Sequence, residues 1–204
     1  MAPYLQTVTS FADVPVSDAG VDTVAFLKAA EGVVGLFDLL GSPAFVFVKT
    51  DLQTNIGKVR ERYNAFPDKS STLELLVVNE KGEKKRKATE GLMWLLRGLA
   101  FTCKALLISQ ANATQELAES FTKAYGLTLE KFHGFLTQKA IALAMKACPY
   151  RATLNEKLCA DPAGGAPVSE AEMNEGLNKW LAALDAIVTR VQTFYTTGGH
   201  DKGF

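Results

Sequence analysis

The stretch from Ala88 to Gln110 constrains the fold more than any other part of the chain. At the ~100° per residue of an α-helix, Leu92, Leu95, Leu96, Leu99, Leu106 and Leu107 fill one side of its axis, within about 120°, while Trp94, Phe101 and Ala105 make the opposite side apolar as well. A helix that is apolar all round offers no face to water, so other elements must cover it. The chain therefore needs a fold with one central helix and several others around it. Its 204 residues suffice for one such domain. No linker-like stretch divides them, so a single domain is expected over 1–204, with its core at about 21–195.

The apolar period elsewhere is also mostly helical. A first helix is expected from about Asp22 to Leu40, with Gly41 as the residue that ends it. Ser42-Pro43 opens the next, from about Ala44 to Ala65, which stops near Pro67. A third covers roughly Ser71 to Asn79. The run Glu83-Lys84-Lys85-Arg86-Lys87 reads as a solvated loop. After the central helix come Thr114 to Tyr125, broken at Gly126, and Thr128 to Ala147, closed by Cys148-Pro149. A short helix follows near Arg151 to Leu158, then the loop Asp161 to Pro167. Ser169 and Glu172 have capping-box spacing for a last helix reaching about Tyr195, with Gly198-Gly199 and the tail loose. The single β-like run, Ala44 to Lys49, merges into a helical pattern. The class expected is all-α.

Lys plus Arg balance Asp plus Glu at 22 each. That balance gives no global attraction to nucleic acid or to anionic membranes, and nucleic acid is not an expected partner. Met1 to Gln6 lacks the basic n-region of a secretory signal, and no run of ~18 wholly apolar residues suggests a spanning helix. Cys103, Cys148 and Cys159 are odd in number and not at metal spacing, so they read as reduced packing residues of a cytoplasmic protein. No metal and no cofactor are expected.

Three faces carry possible chemistry. On the second helix Asp51, Asn55, Lys58 and Arg62 share an arc of about 60°. Beside them lies an apolar face of Phe45, Val48, Leu52, Ile56, Val59 and Tyr63. Asp accepts hydrogen bonds, Lys and Arg donate, and Asn does both, a mixture that suits the hydroxyls of a neutral polyol. The same spacing is met by an exposed face with i,i+4 pairs. On the central helix Trp94 shares a face with Phe101 and Ala105. It reads either as core or as an apolar plate for the C–H face of a sugar, its N–H left free. His133 lies among Leu129, Leu136, Ala140 and Leu143 if its helix is continuous, as a satisfied core histidine or as a ligand. The opposite face shows Lys131, Phe135, Lys139 and Lys146, a surface phenylalanine among lysines or a membrane contact.

Taken together these segments resemble the glycolipid transfer protein family. The resemblance rests on Gly41-Ser42-Pro43-Ala44-Phe45, on Lys49-Thr50-Asp51-Leu52-Gln53-Thr54-Asn55-Ile56-Gly57-Lys58, and on Leu92-Met93-Trp94-Leu95-Leu96-Arg97-Gly98-Leu99. Tyr125, Lys131-Phe132-His133-Gly134 and Cys148-Pro149-Tyr150 complete it, and the details resemble fungal members. It implies a two-layer helical sandwich of about eight helices with an apolar lipid-binding tunnel between the layers. It further implies that Asp51, Asn55, Lys58 and Trp94 hold a sugar, and that Asp51 and His133 hold the ceramide amide. Phe37, Phe45, Val48, Phe101, Leu129, Leu136, Ile141 and Leu154 would line the chain pocket. Lys131, Phe135, Lys139 and Lys146 would touch the membrane reversibly; animal members often carry Trp at the position of Phe135. The implied function is transfer of one glycosphingolipid between membranes, without ATP or chemistry, by a monomer or weak homodimer.

Two rivals share much of this pattern. One is a carrier of ceramide-1-phosphate, for which Lys58, Arg62 and Arg97 would supply the charge-assisted bonds a dianion needs. The other is a glycolipid sensor acting through a protein partner. An enzyme is not expected: there is no G-x-S-x-G elbow, no H-E-x-x-H and no P-loop.

Overall fold

The computed structural model describes residues 3–42 and 45–204. Among them are nine α-helices: α1 (Pro3–Thr7), α2 (Thr23–Leu40), α3 (Val46–Ala65), α4 (Leu73–Glu80), α5 (Lys87–Ala111), α6 (Leu117–Thr128), α7 (Phe135–Lys146), α8 (Arg151–Cys159) and α9 (Glu170–Gly198). The central helix of the sequence reading is α5. It packs against α3 and α6 in its own row and against α9 of a lower row. By length and composition α5 is apolar enough to cross a membrane, but most of its apolar stretch is buried by the other helices. Around the lower row, α8 joins α1, α2 and α9. The two rows meet through α2 on α3 and α9 on α5, which makes two layers with the core between them.

Local chemistry explains several ends. The Asp22 carboxylate accepts the Ala25 N–H at 2.8 Å and caps α2, and Gly41 at φ +65° closes it in the left-handed region. Ser169 and Glu172 form the capping box at the start of α9. The expected opening at Ser42-Pro43-Ala44 falls in part on Pro43 and Ala44, outside the described residues, and Val46 to Lys49 are helical rather than extended.

Close approach of α3 to α5 depends on two glycines seven residues apart, two helical turns on one side of α5. A Cβ at Gly91 would sit 2.9 Å from Cβ of Lys58, and one at Gly98 would sit 2.7 Å from Cδ2 of Leu52. These glycines set the distance between the two helices that carry most of the polar candidates.

Three expectations need correction. First, the Thr128–Ala147 helix does not exist as one piece. Helix α6 continues through Gly126 to Thr128, a 3-10 turn spans Glu130–Phe132, and α7 starts only at Phe135. His133 is extended at the corner. Gly126 ends nothing because a helix-interior glycine costs only about 1 kcal/mol, which the buried stripe Leu117, Phe121, Ala124 and Tyr125 outweighs. Leu143 accordingly does not share a helical face with His133; it is exposed, as is Leu136.

Second, the tail is docked. Arg86 donates to the carbonyls of His200 (3.3 Å) and Lys202 (2.6 Å) and lies over the Phe204 ring. His200 is buried and stacks on Phe194, with ring centroids 4.7 Å apart. Arg86 thus leaves the expected solvated loop, and Lys87 is the first residue of α5.

Third, a β-hairpin absent from the sequence reading, β1 (Val16–Ser17) and β2 (Gly20–Val21), precedes α2. Two-residue strands are too short to show alternation. Glu74 on α4 accepts the Val21 N–H at 2.8 Å and pairs with Arg190 of α9, which also donates to the Ser17 carbonyl. The hairpin is thereby tied to both layers.

Candidate functional site

Three successive turns of α3 present Asp51, Asn55 and Lys58 in one connected row. The Asn55 amide donates to the Asp51 carboxylate at 3.2 Å, and the Lys58 ammonium donates to the Asn55 carbonyl at 3.1 Å. Asn55 is only 2% exposed, so its orientation is set by these two neighbours. Each member keeps capacity to spare: lone pairs on Asp51, one N–H on Asn55 and two on Lys58.

Across from this row stands Trp94 on α5. The His133 ring lies parallel to the indole, at 5.9 Å between centroids and 8° between planes, and Phe132 meets it edge-on. The corner between α6 and α7 makes this possible. In a straight helix Tyr125 and His133 would sit about 12 Å apart along the axis; here the Tyr125 hydroxyl lies 3.0 Å from Nδ1 of His133.

Burial shapes the charges. It pushes the Asp51 carboxyl above the ordinary carboxylate value, against the opposing pull of Lys58, the Asn55 hydrogen bond and His133. It pushes His133 below its ordinary value, helped by Arg97 and opposed by Asp51. His133 is therefore neutral at pH 7, with one ring nitrogen donating and the other accepting.

These side chains line one cavity of about 310 Å³, within the range of small-molecule sites. Asp51, Asn55, Lys58, Glu90, Trp94 and His133 form its polar part, and Val48, Leu52, Phe101, Leu129 and Ile141 its apolar part. A second, almost wholly apolar cavity of about 290 Å³ shares Phe47, Val48, Thr137 and Ile141 with the first and adds Leu136, Ala140 and Ala144.

Of the expected chain-pocket residues, Val48, Phe101, Leu129 and Ile141 line the first cavity. Leu136 lines the second, but from its rim, at 82% exposure. Phe37 and Phe45 lie deeper, in an aromatic ladder that runs through Phe121 to Phe101 with steps of 5.3–5.5 Å, and they border a separate opening beside Gly41 and Lys49. Leu154 is buried in the core and lines neither cavity. Lys131, Phe135, Lys139 and Lys146 are all exposed, and the Lys139 ammonium lies 4.3 Å from the centre of the Phe135 ring.

Sequence reasoning missed Phe47, which is exposed where both cavities meet, and Glu90 in the headgroup cavity. Glu90 is one turn before Trp94, a spacing legible in the sequence; Phe47 sat in the run read as β-like.

The two arginines of the phosphate rival are elsewhere. Arg62 pairs with Glu83 at 2.8 Å and lies over Phe66. Arg97 is held between the Trp94 and Phe132 rings and faces a different cleft, beside Lys131 and Asp201.

Residues 21–160 match the family model described as Glycolipid transfer protein. The chain belongs to the glycolipid transfer protein family. Among relatives of this family, a glycolipid transfer protein of Aureobasidium melanogenum is 43% identical over 185 residues, covering 91% of this chain and 88% of that one. The crystal structure of HET-C2, a fungal glycolipid transfer protein, superposes with a TM-score of 0.86 at 41% identity, covering 95% of this chain and 96% of that one. FAPP2, described as selecting simple glycosphingolipids with the glycolipid transfer protein fold, gives a TM-score of 0.87 at 31% identity, with 98% and 97% covered.

Proposed function

We propose that this glycolipid transfer protein family member is a carrier for one glycosphingolipid. It would take up a glycosylceramide and move it between membranes, with no covalent step. The observation that carries this reading is the connected Asp51–Asn55–Lys58 row facing Trp94 and His133 in one cavity that continues into apolar walls. Sugar hydroxyls are donors and acceptors at once, and the row offers both. The indole supplies an apolar plate for the sugar's C–H face.

The amide sits at the junction of polar and apolar walls. Asp51 accepts its N–H, and His133 donates to its carbonyl. For that, the His133 proton must be on Nε2, an arrangement in which the Tyr125 hydroxyl, 3.0 Å from Nδ1, is the donor of that pair. An ester-linked glycerolipid has no N–H, and the half-buried Asp51 would be left with a lost bond, at about 1–3 kcal/mol.

Chain burial makes energy input unnecessary. A ~16-carbon chain moved out of water contributes roughly 13 kcal/mol at ~0.8 per CH₂. A pocket as dry as the bilayer therefore exchanges lipid without a large net change, and transfer runs down the gradient. Val48, Phe101, Leu129 and Ile141 begin that pocket, and the Phe45–Phe121–Phe101 ladder lies behind it. Exposed Phe47, Phe135 and Leu136, with Lys131, Lys139 and Lys146, form the face that meets the membrane, reversibly and from the cytoplasm. A phosphate head is disfavoured, because Lys58 alone among the three expected cations lines the cavity.

The test is transfer of labelled glucosylceramide between vesicles, followed by extraction. Intact glucosylceramide in the acceptor vesicles is the expected result. Release of free sugar or fatty acid, or faster movement of ceramide-1-phosphate, would overturn the proposal.

A further inference from the structure

The headgroup cavity contains a second carboxylate. Glu90 lines it together with Asp51, Lys58 and Trp94, one helical turn before Trp94 on α5. It is partly buried, and its side chain makes no hydrogen bond or ion pair with another described residue. Its neighbours in the sequence are committed elsewhere: Arg86 to the tail and Lys87 to Glu61. Lys58 is directed to Asn55, with its stem against Gly91. Two carboxylates and one ammonium thus face the cavity, and burial keeps His133 neutral.

We infer that Glu90 is a specificity residue that favours neutral sugar heads and rejects anionic ones. This rests on the carrier reading above. A carboxylate only accepts hydrogen bonds, so it pairs with a sugar hydroxyl, which donates. Against a sulfate or phosphate it finds no donor and repels charge in a partly water-excluded site, where Coulomb forces are stronger than in bulk water. Asp51 already accepts from Asn55 and stands in one row with the Lys58 ammonium, which offsets its charge, so the carboxylate left to oppose an anionic head is that of Glu90. The unpaired Glu90 therefore selects against a charge added to a sugar that would otherwise fit.

A position in the first turn of α5 also lets Glu90 complement the helix dipole. That role alone changes thermal stability and leaves lipid preference untouched, so the two separate cleanly.

The experiment uses the full chain, with galactosylceramide and its sulfated form as the two probes, presented in otherwise identical zwitterionic vesicles. Affinity of each is measured for wild type, Glu90→Gln and Glu90→Asp. We expect wild type to prefer galactosylceramide. In Glu90→Gln the preference falls about tenfold, chiefly through tighter binding of the sulfated lipid, while Glu90→Asp keeps most of it. Added salt shrinks the wild-type preference and leaves that of Glu90→Gln nearly constant. An unchanged ratio in Glu90→Gln, with only the melting temperature moved, overturns the role assigned to Glu90. Failure of wild type to bind either lipid overturns the carrier reading instead.

Discussion

The hydroxyl oxygen of Tyr125 lies 3.0 Å from Nδ1 of His133, across the corner between α6 and α7. Neutral imidazole has one donor and one acceptor nitrogen, and a hydroxyl can serve either. With Tyr125 donating, the proton of His133 is placed on Nε2. Tyr125→Phe removes that preference. We predict that long-range ¹H–¹⁵N correlation shows mainly the Nε2–H tautomer in wild type and a mixture in the variant. Glycolipid affinity should fall roughly five- to tenfold, as for one hydrogen bond of about 1 kcal/mol.

The approach of α3 to α5 gives a second prediction. Gly91→Ala places a methyl group 2.9 Å from Cβ and Cδ of Lys58 and 3.4 Å from the backbone carbonyl oxygen of Asn55. Overpacking of this kind costs about 1–3 kcal/mol, offset in part by the better helix propensity of alanine. The displaced atoms belong to the headgroup row, so lipid affinity should fall at least as much as stability. At Gly57, where a Cβ meets nothing within 4 Å, the same change should stabilise by up to about 1 kcal/mol and leave binding alone. Urea unfolding and a lipid-binding titration on both variants check the pair.

Trp94 provides the third. It is partly exposed; its ring neighbours are His133 and Phe132, the Arg97 guanidinium lies over it, and it packs against the edge of the core. Trp94→Ala should cost roughly half of the ~3–5 kcal/mol seen for fully buried aromatics. The helical circular dichroism should persist while intermembrane transfer collapses. Trp94→Phe keeps a plate and should retain part of the activity. Normal transfer by the alanine variant would remove Trp94 from the site.

Acidification gives the fourth. Burial holds His133 below its ordinary value in the folded chain, and the unfolded chain does not. The unfolded state therefore binds more protons between the two values, so His133's contribution is intact above about pH 6.5 and declines as pH falls through that window, by at most about 1.4 kcal/mol per pH unit. Burial, Lys81 and Arg86 also lower His200, which adds a similar slope. Urea unfolding at pH 7.5 and 5.5 should show a smaller acid loss in His133→Gln than in wild type, and the remainder should shrink further in His200→Gln.

Much of this was legible in the residues. Six leucines on one side of the axis, with Trp94, Phe101 and Ala105 on the other, call for an α5 covered by its neighbours, and α3, α6 and α9 all pack against it. Asp51, Asn55 and Lys58 recur one turn apart, so any helix there aligns them. The cap residues Asp22, Gly41 and Ser169 mark their helix ends because each satisfies backbone groups locally. The corner at Leu129–Gly134 was not legible, since the apolar pattern runs on through it and the gain, Tyr125 against His133, is a tertiary contact. The docking of Arg86 onto the tail likewise joins residues more than a hundred positions apart. The face shared by His133, Leu136 and Leu143 fails for the same reason, since it presumes a helix that the corner interrupts; Leu136 still lines the second cavity, from its rim.

The most direct measurement is native mass spectrometry of the chain after exposure to vesicles holding equal amounts of glucosylceramide and ceramide-1-phosphate. One intact glucosylceramide per chain is the expected adduct, lost in Trp94→Ala. A bound ceramide-1-phosphate, or a chain that takes up neither lipid, would contradict a sugar-headed ligand seated between α3 and Trp94.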